Sequence, residues 1–333
     1  MIQGHDRAIE RILTAWRDGT MHHAWLLTGP RGIGKASFAR AAALRLLAEA
    51  AGPMPDGPMP DGPMPEGMGI ETPETHPTAR LIAAGSHPDY RLLERIENKT
   101  GTALARNISI DQVRALGDVF SVTPAMSDWR VVVIDAADDL ETSAANALLK
   151  MLEEPPAKCI FLLVSHVPGR LLPTIRSRCR KQEFRSLGDD VMASVLSGQG
   201  VDPSNIPSLI GQAGGSPGKA LSYAALDLGS LHEQALAIMR VGDPINERRS
   251  KLAQSLALKA AAERYAAFLQ IVPTMIANEA RLLDGPARLR ALNAYKRARD
   301  TCQLAPRLTC DPGATIFQLG TILASVAPED ASG

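Results

Sequence analysis

Gly29-Pro30-Arg31-Gly32-Ile33-Gly34-Lys35 sets three glycines and a lysine at the G-x-x-x-x-G-K spacing. An apolar run, Ala24 to Thr28, leads into it, and an Ala- and Leu-rich stretch of helical period leads out. The chemistry of such a loop is phosphate binding. Gly29, Gly32 and Gly34 let the backbone curl so that successive N–H groups point inward. The helix that follows adds the positive end of its dipole, and Lys35 reaches toward β- and γ-phosphates. ATP or ADP is the ligand class this pattern takes; whether the loop holds one stays open. The next position in a metal-binding loop carries a hydroxyl for Mg²⁺, and here it is Ala36. Ser37 stands about 100° further around the helix and does not replace it.

A second acidic motif reads Val131-Val132-Val133-Ile134-Asp135-Ala136-Ala137-Asp138. Asp135, at the end of a β-branched run, is placed to hold Mg²⁺ or its water shell. In hydrolysing P-loop proteins of this pattern the next residue is an acid that activates water. Ala136 neither accepts a proton nor orients water. Asp138 and Asp139 read as a solvated cap for a helix beginning near 142. Ala36 and Ala136 remove the two groups hydrolysis needs most, so the site is expected to bind without turnover or to stand empty.

The elements that position these groups alternate strand and helix. Residues 5–18 have helical spacing, 24–28 and 90–93 read as strands, and Ser109 caps a helix with Gln112 in its first turn. Residues 131–134 and 159–164 read as strands buried on both faces, and 142–154 as a helix stopped by Pro155-Pro156. Cys159 reads as a small core residue. A parallel α/β P-loop domain over 1–186 follows. Beyond Leu187 strand signals vanish: 187–228 reads as short helices broken by Gly214-Gly215-Ser216-Pro217-Gly218, and 229–333 as longer helices. Within the first domain, 53–67 is a tandem Pro-Met-Pro-Asp/Glu-Gly repeat that builds no core and is read as an extended, disordered surface loop.

Asn146-Ala147-Leu148-Leu149-Lys150-Met151-Leu152-Glu153-Glu154-Pro155-Pro156, Ser177-Arg178-Cys179 and His87-Pro88-Asp89-Tyr90 closely resemble the AAA+ clamp-loader family of bacterial DNA polymerase III. The motifs cover roughly residues 1–220; the helical remainder agrees by length and position only. The resemblance implies an AAA+ sheet domain, a small helical lid at 187–228 and an all-helical collar at 229–333 through which subunits join. It implies an open ring of five with gamma/tau and delta subunits, acting with the sliding clamp on primed DNA during replication. In such rings each ATP sits at a subunit boundary and the neighbour supplies an arginine, which here matches Arg178. Read from spacing alone, Arg178 equally suits bonding to carbonyls at a helix end, with Arg176 and Arg180 as equivalent neighbours. Ser165 stands near the family's phosphate-sensing position and can hydrogen-bond a phosphate, while His166 reads as a surface or supporting residue. At the family's second sensing motif Gly218 replaces the arginine, and Lys219 is one position off. Family zinc modules place cysteines between the loop helix and His87; none stands there, so no zinc is expected. Against the family's ATP-hydrolysing gamma/tau motors, which keep a Thr after the lysine and an acid after the aspartate, the two alanines point to a non-hydrolysing subunit; a motor remains the alternative.

Composition bounds the other readings. The chain has 333 residues, 45% hydrophobic and 22% charged, with a mean hydropathy of −0.05: globular values for two or three domains. Thirty-six basic residues balance thirty-six acidic ones, which excludes a strongly basic nucleic-acid coat. Residues 246–300 hold eleven Lys/Arg against five acids, read as packing and solvation. A P-loop kinase or transferase lacks a recognisable acceptor site. Four cysteines without a CxxC pair, a polar N-terminus and short apolar runs lead to the expectation of a reducing, cytoplasmic setting without a membrane span.

Overall fold

A computed structural model of the chain describes residues 2–51, 69–97, 104–120, 122–306 and 308–328. The repeat at 53–67 lies outside the described residues. The chain divides into two compact units, Met1–Val191 and Met192–Gly333.

In the first unit, α1 (Asp6–Arg17) precedes β1 (Ala24–Thr28), α2 (Lys35–Ala50), α3 (Pro77–Ala83), β2 (Tyr90–Glu94), α4 (Ile110–Phe120), β3 (Arg130–Asp135), α5 (Thr142–Glu153), β4 (Cys159–Ser165), α6 (Pro173–Ser177) and β5 (Arg180–Glu183). Helix α7 (Asp189–Gly198) begins at its end. The sheet order is β2-β3-β4-β1-β5 and every pairing is parallel. Parallel neighbours need crossover helices, and those helices cover both faces. The side-chain alternation of the strands makes this visible. Trp25, Leu27, Val131, Val133, Ile160, Leu162 and Val164 pack on one face with Ile12, Phe38, Leu46 and Leu47 of α1 and α2. Leu26, Val132, Ile134, Phe161 and Leu163 pack on the other with Val113, Leu148, Leu152 and Ile175 of α4, α5 and α6. Cys159 belongs to this core, as its apolar setting foretells, and burial pushes its thiol up to about 12.

Two local devices hold the ends of these elements. Ser109 and Gln112 form a reciprocal cap at α4: the Ser109 N–H donates to Gln112 Oε1 at 3.1 Å, and the Gln112 N–H donates to Ser109 Oγ at 3.4 Å. Buried Asp89 accepts from the N–H groups of Ala125, Met126 and Ser127 at 2.9, 2.8 and 3.0 Å. The His87-Pro88-Asp89 segment thereby ties the start of β2 to the loop that enters β3.

The second unit is helical: α8 (Ile206–Ala213), α9 (Pro217–Ala225), α10 (Leu228–Val241), α11 (Glu247–Ala257), α12 (Ala262–Leu282), α13 (Gly285–Leu304) and α14 (Pro312–Ala324) follow the end of α7. Buried Asp243 accepts from the N–H groups of Arg248 and Arg249 and from Arg249 Nε, at 3.0 to 3.1 Å, and so holds the first turn of α11 and fixes the Arg249 side chain. Helix α14 lies against α11 so closely that a Cβ on Gly320 would stand 2.6 Å from Arg249 Cβ. Within 246–300, Lys251 pairs with Glu247 at 2.6 Å and Arg249 with Asp243 at 3.0 Å. A parallel α/β P-loop domain followed by helices is the fold class expected from the sequence. No helix among the described residues is long and apolar enough to cross a membrane.

Two elements depart from expectation. Helix α3, which no sequence pattern announces, precedes His87, started by Pro77 at its first position and by His76, which accepts from the Thr78 N–H at 3.2 Å. Strand β5, Arg-Lys-Gln-Glu, has no apolar pattern. It forms because β1 offers an open ladder, and its charged residues suit a sheet edge.

Candidate functional site

The Gly29–Lys35 loop joins β1 to α2, where the carboxyl ends of the strands gather. Gly29 has φ 146°, and a Cβ there would lie 2.2 Å from the Phe184 carbonyl oxygen, so only glycine fits. Gly32 and Gly34 also have positive φ, 81° and 100°, which carries the chain around the turn and into the helix. His5, at the start of α1, packs beneath the loop: its Nε2 lies 2.7 Å from the Ile33 carbonyl, and its ring meets Phe184 edge-on at 4.8 Å. Burial lowers the His5 pKa, which favours the neutral ring in this contact.

Lys35 is buried. Its ammonium donates to the carbonyls of Gly29 and Pro30, each at 2.6 Å. Burial pulls its pKa down to about 8, against the opposing pull of the Asp138 and Asp135 charges. Asp135 ends β3 beside the loop, as the sequence placed it, and its Oδ2 lies 3.4 Å from Arg40 Nη2 of α2. The same Arg40 nitrogen donates to Glu94 at 3.0 Å. Ser165, fully buried at the end of β4, donates to Asp138 Oδ1 at 2.8 Å.

The structure therefore gathers Gly29, Gly32, Gly34, Lys35, Asp135 and Ser165 at one end of the sheet, with Ala36 and Ala136 between them. Each of the three polar groups expected to face a nucleotide holds a partner within the chain. The hydroxyl that would face a metal ion after Lys35 is missing, since Ala36 stands there.

Asp138 requires a correction. Its sequence position suits a solvated cap for the helix at 142, but α5 has no side-chain cap. Instead, Asp138 accepts from Ser165 Oγ, from the His166 N–H and from the Val167 N–H, the last at 3.3 Å. It lashes the loop after β3 to the end of β4, because a carboxylate three residues past the strand end faces the exposed amides of its neighbour strand. Asp139 pairs with Arg95 at 3.1 Å rather than capping α5. His166 is half-buried, and its Nδ1 has no hydrogen-bond partner. Burial and the nearby Lys35 charge lower its pKa, while Asp138 acts against them. In the second unit, Ser216 caps α9 by accepting from the Lys219 N–H at 3.4 Å, and Lys219 is exposed.

Arg178 follows the last residue of α6. Its Nη1 donates to the Thr174 carbonyl at 3.0 Å, the helix-end bond that spacing alone allowed. Its Nη2 lies 2.7 Å from Glu153 Oε1 at the end of α5. Arg180 instead lies over the Trp25 ring at 4.9 Å, so the neighbouring arginines are not equivalent. Sequence reasoning missed Arg40 and Glu153 as partners, since neither lies near its partner in the chain.

Residues 65–188 match the family described as DNA polymerase III, delta subunit. The chain is 39% identical over 163 residues to the DNA polymerase III subunit delta' of Pseudomonas aeruginosa, covering 48% of this chain and 42% of that protein. It is 32% identical over 254 residues to the DNA polymerase III subunit gamma/tau of Mycobacterium bovis, covering 73% of this chain and 40% of that protein. The matched stretches thus span less than half the length of either relative. A solved DNA polymerase III gamma subunit-related protein of Thermotoga maritima aligns with a TM-score of 0.48 at 16% identity, covering 94% of this chain and 98% of that one.

Proposed function

We propose that the chain is a delta-prime-type subunit of a DNA polymerase III clamp loader, and a non-hydrolysing one; the family match over residues 65–188 and the likeness to a delta' subunit support the reading. In this reading it joins gamma/tau and delta subunits in a five-membered ring, with 187–228 as its lid and 229–333 as its collar. The ring places a sliding clamp on primed DNA. The observation that carries the reading is the state of the phosphate loop. Alanine, at Ala36 and Ala136, stands at both positions where hydrolysis needs a polar group.

Arg178 acts on a neighbour's ATP. A guanidinium set against a γ-phosphate neutralises charge that grows in the transition state. Such a group contributes about 10³–10⁵ in kcat, or roughly 4–7 kcal/mol. The chain's own reaction role is then confined to orienting and releasing that one cation.

A second reading, an ATP-hydrolysing gamma/tau-type motor, draws support from the 254-residue match to the gamma/tau relative. Ala36 and Ala136 oppose it. Turnover by the purified chain decides: the proposal expects none, and ATP hydrolysis abolished by Lys35→Ala would favour the motor.

A further inference from the structure

The Arg178 side chain that has to reach across a subunit boundary is folded back onto its own chain. One guanidinium nitrogen is held by the Thr174 carbonyl at 3.0 Å and the other by the Glu153 carboxylate at 2.7 Å. We propose that Glu153 is a latch that holds Arg178 withdrawn, and that a neighbour's nucleotide competes with it for the guanidinium. The inference rests on the reading of Arg178 as acting on a partner's ATP.

Three features support a releasable latch rather than a structural tie. Glu153 and Arg178 keep 48% and 34% of their side-chain surface in solvent, so the pair is in the weak, surface class. Glu153 is the last residue of α5, where a carboxylate faces the negative end of the helix dipole; its position there is unfavourable until a cation offsets it. A phosphate carries more charge than one carboxylate and can engage the guanidinium at two points where Glu153 holds one nitrogen, so it competes with Glu153 for Arg178. The latch also screens a bare cation from other anions while the boundary is unfilled.

A ligand or mutation shifts a two-state equilibrium only by its differential effect on the two states. Exposed pairs contribute about 0.2–1 kcal/mol. Removing this one therefore raises the fraction of extended Arg178 by up to about five-fold.

The test is ATP turnover by the reconstituted loader containing Glu153→Gln, Arg178→Ala or both, with ring assembly checked for each. Glu153→Ala is a second variant with the same expectation. The expected result is that Arg178→Ala collapses turnover and Glu153→Gln raises kcat about two- to five-fold. In the Arg178→Ala background Glu153→Gln then has no effect. If Arg178→Ala collapses turnover and Glu153→Gln leaves it unchanged or lowers it in an intact ring, the latch is wrong and the trans-acting arginine stands. A gain that persists without Arg178 also overturns the latch. If Arg178→Ala leaves turnover intact, the trans-acting arginine and the latch fall together.

Discussion

Replacing Asp138 by alanine removes the acceptor that joins the end of β3 to the end of β4. Three donors lose their partner: Ser165 Oγ, and the N–H groups of His166 and Val167. Their fates differ with exposure. Ser165 is fully buried and its hydroxyl is left orphaned, at about 1–3 kcal/mol. The half-buried His166 amide contributes about 1 kcal/mol more, and the exposed Val167 amide turns to water at almost no cost. The expected loss is about 2–4 kcal/mol. Ser165→Ala alone is expected to cost about 1 kcal/mol, since Asp138 keeps its two amides. The double variant is expected to fall short of additivity by about 1 kcal/mol, because the hydroxyl that Asp138→Ala orphans is already gone. The assay is urea unfolding followed by tryptophan fluorescence. Trp16, Trp25 and Trp129 are the only tryptophans, and all lie in Met1–Val191, so the signal reports the sheet unit alone. A loss under 0.5 kcal/mol for Asp138→Ala, or strict additivity of the pair, would refute this account of the strand-end clamp.

Lys35 makes stability depend on pH. Its folded pKa, about 8, lies below the ordinary lysine value of 10.5, so between those limits the unfolded chain binds more protons. Stability from this group therefore rises as pH climbs from 8 toward 10.5. The melting temperature of wild type relative to Lys35→Met should move in wild type's favour over that window; a constant difference contradicts the buried charge. Gly320→Ala sets a methyl group against Arg249, which Asp243 keeps from retreating. Overpacking costs about 1–3 kcal/mol and alanine's helix propensity returns about 1. A net loss of about 1 kcal/mol is expected in the helical unit by circular dichroism, and stabilisation would contradict the close packing of α11 and α14.

Much of the sheet was legible because buried parallel strands announce themselves. Val131 to Ile134 and Cys159 to Val164 have no polar residue to interrupt them, and the glycine loop after Ala24–Thr28 fixes a strand before it and a helix after it. Strand β5 was not legible, since an edge strand needs only a partner's ladder and Arg-Lys-Gln-Glu carries no period. Helix α3 was hidden by the repeat that precedes it in sequence. In the site, the glycines, Lys35 and Asp135 were found by spacing and strand position, and Ser165 by the family resemblance. Their present partners were not, because Arg40 and Asp138 reach them only through the fold, as Glu153 reaches Arg178. Asp138 shows the limit most plainly: an aspartate just before a helix has the sequence signature of a cap, yet Ser165 and two strand-end amides compete for it and win.

ATP turnover by the reconstituted loader on clamp and primed DNA, with this chain as wild type and as Arg178→Ala, tests the central claim most directly. The account predicts an intact ring in both cases, with hydrolysis at the site this chain faces reduced by about 10³–10⁵ in the variant. An unchanged rate in an intact ring would contradict it and leave Arg178 as a residue that merely ties α6 to α5.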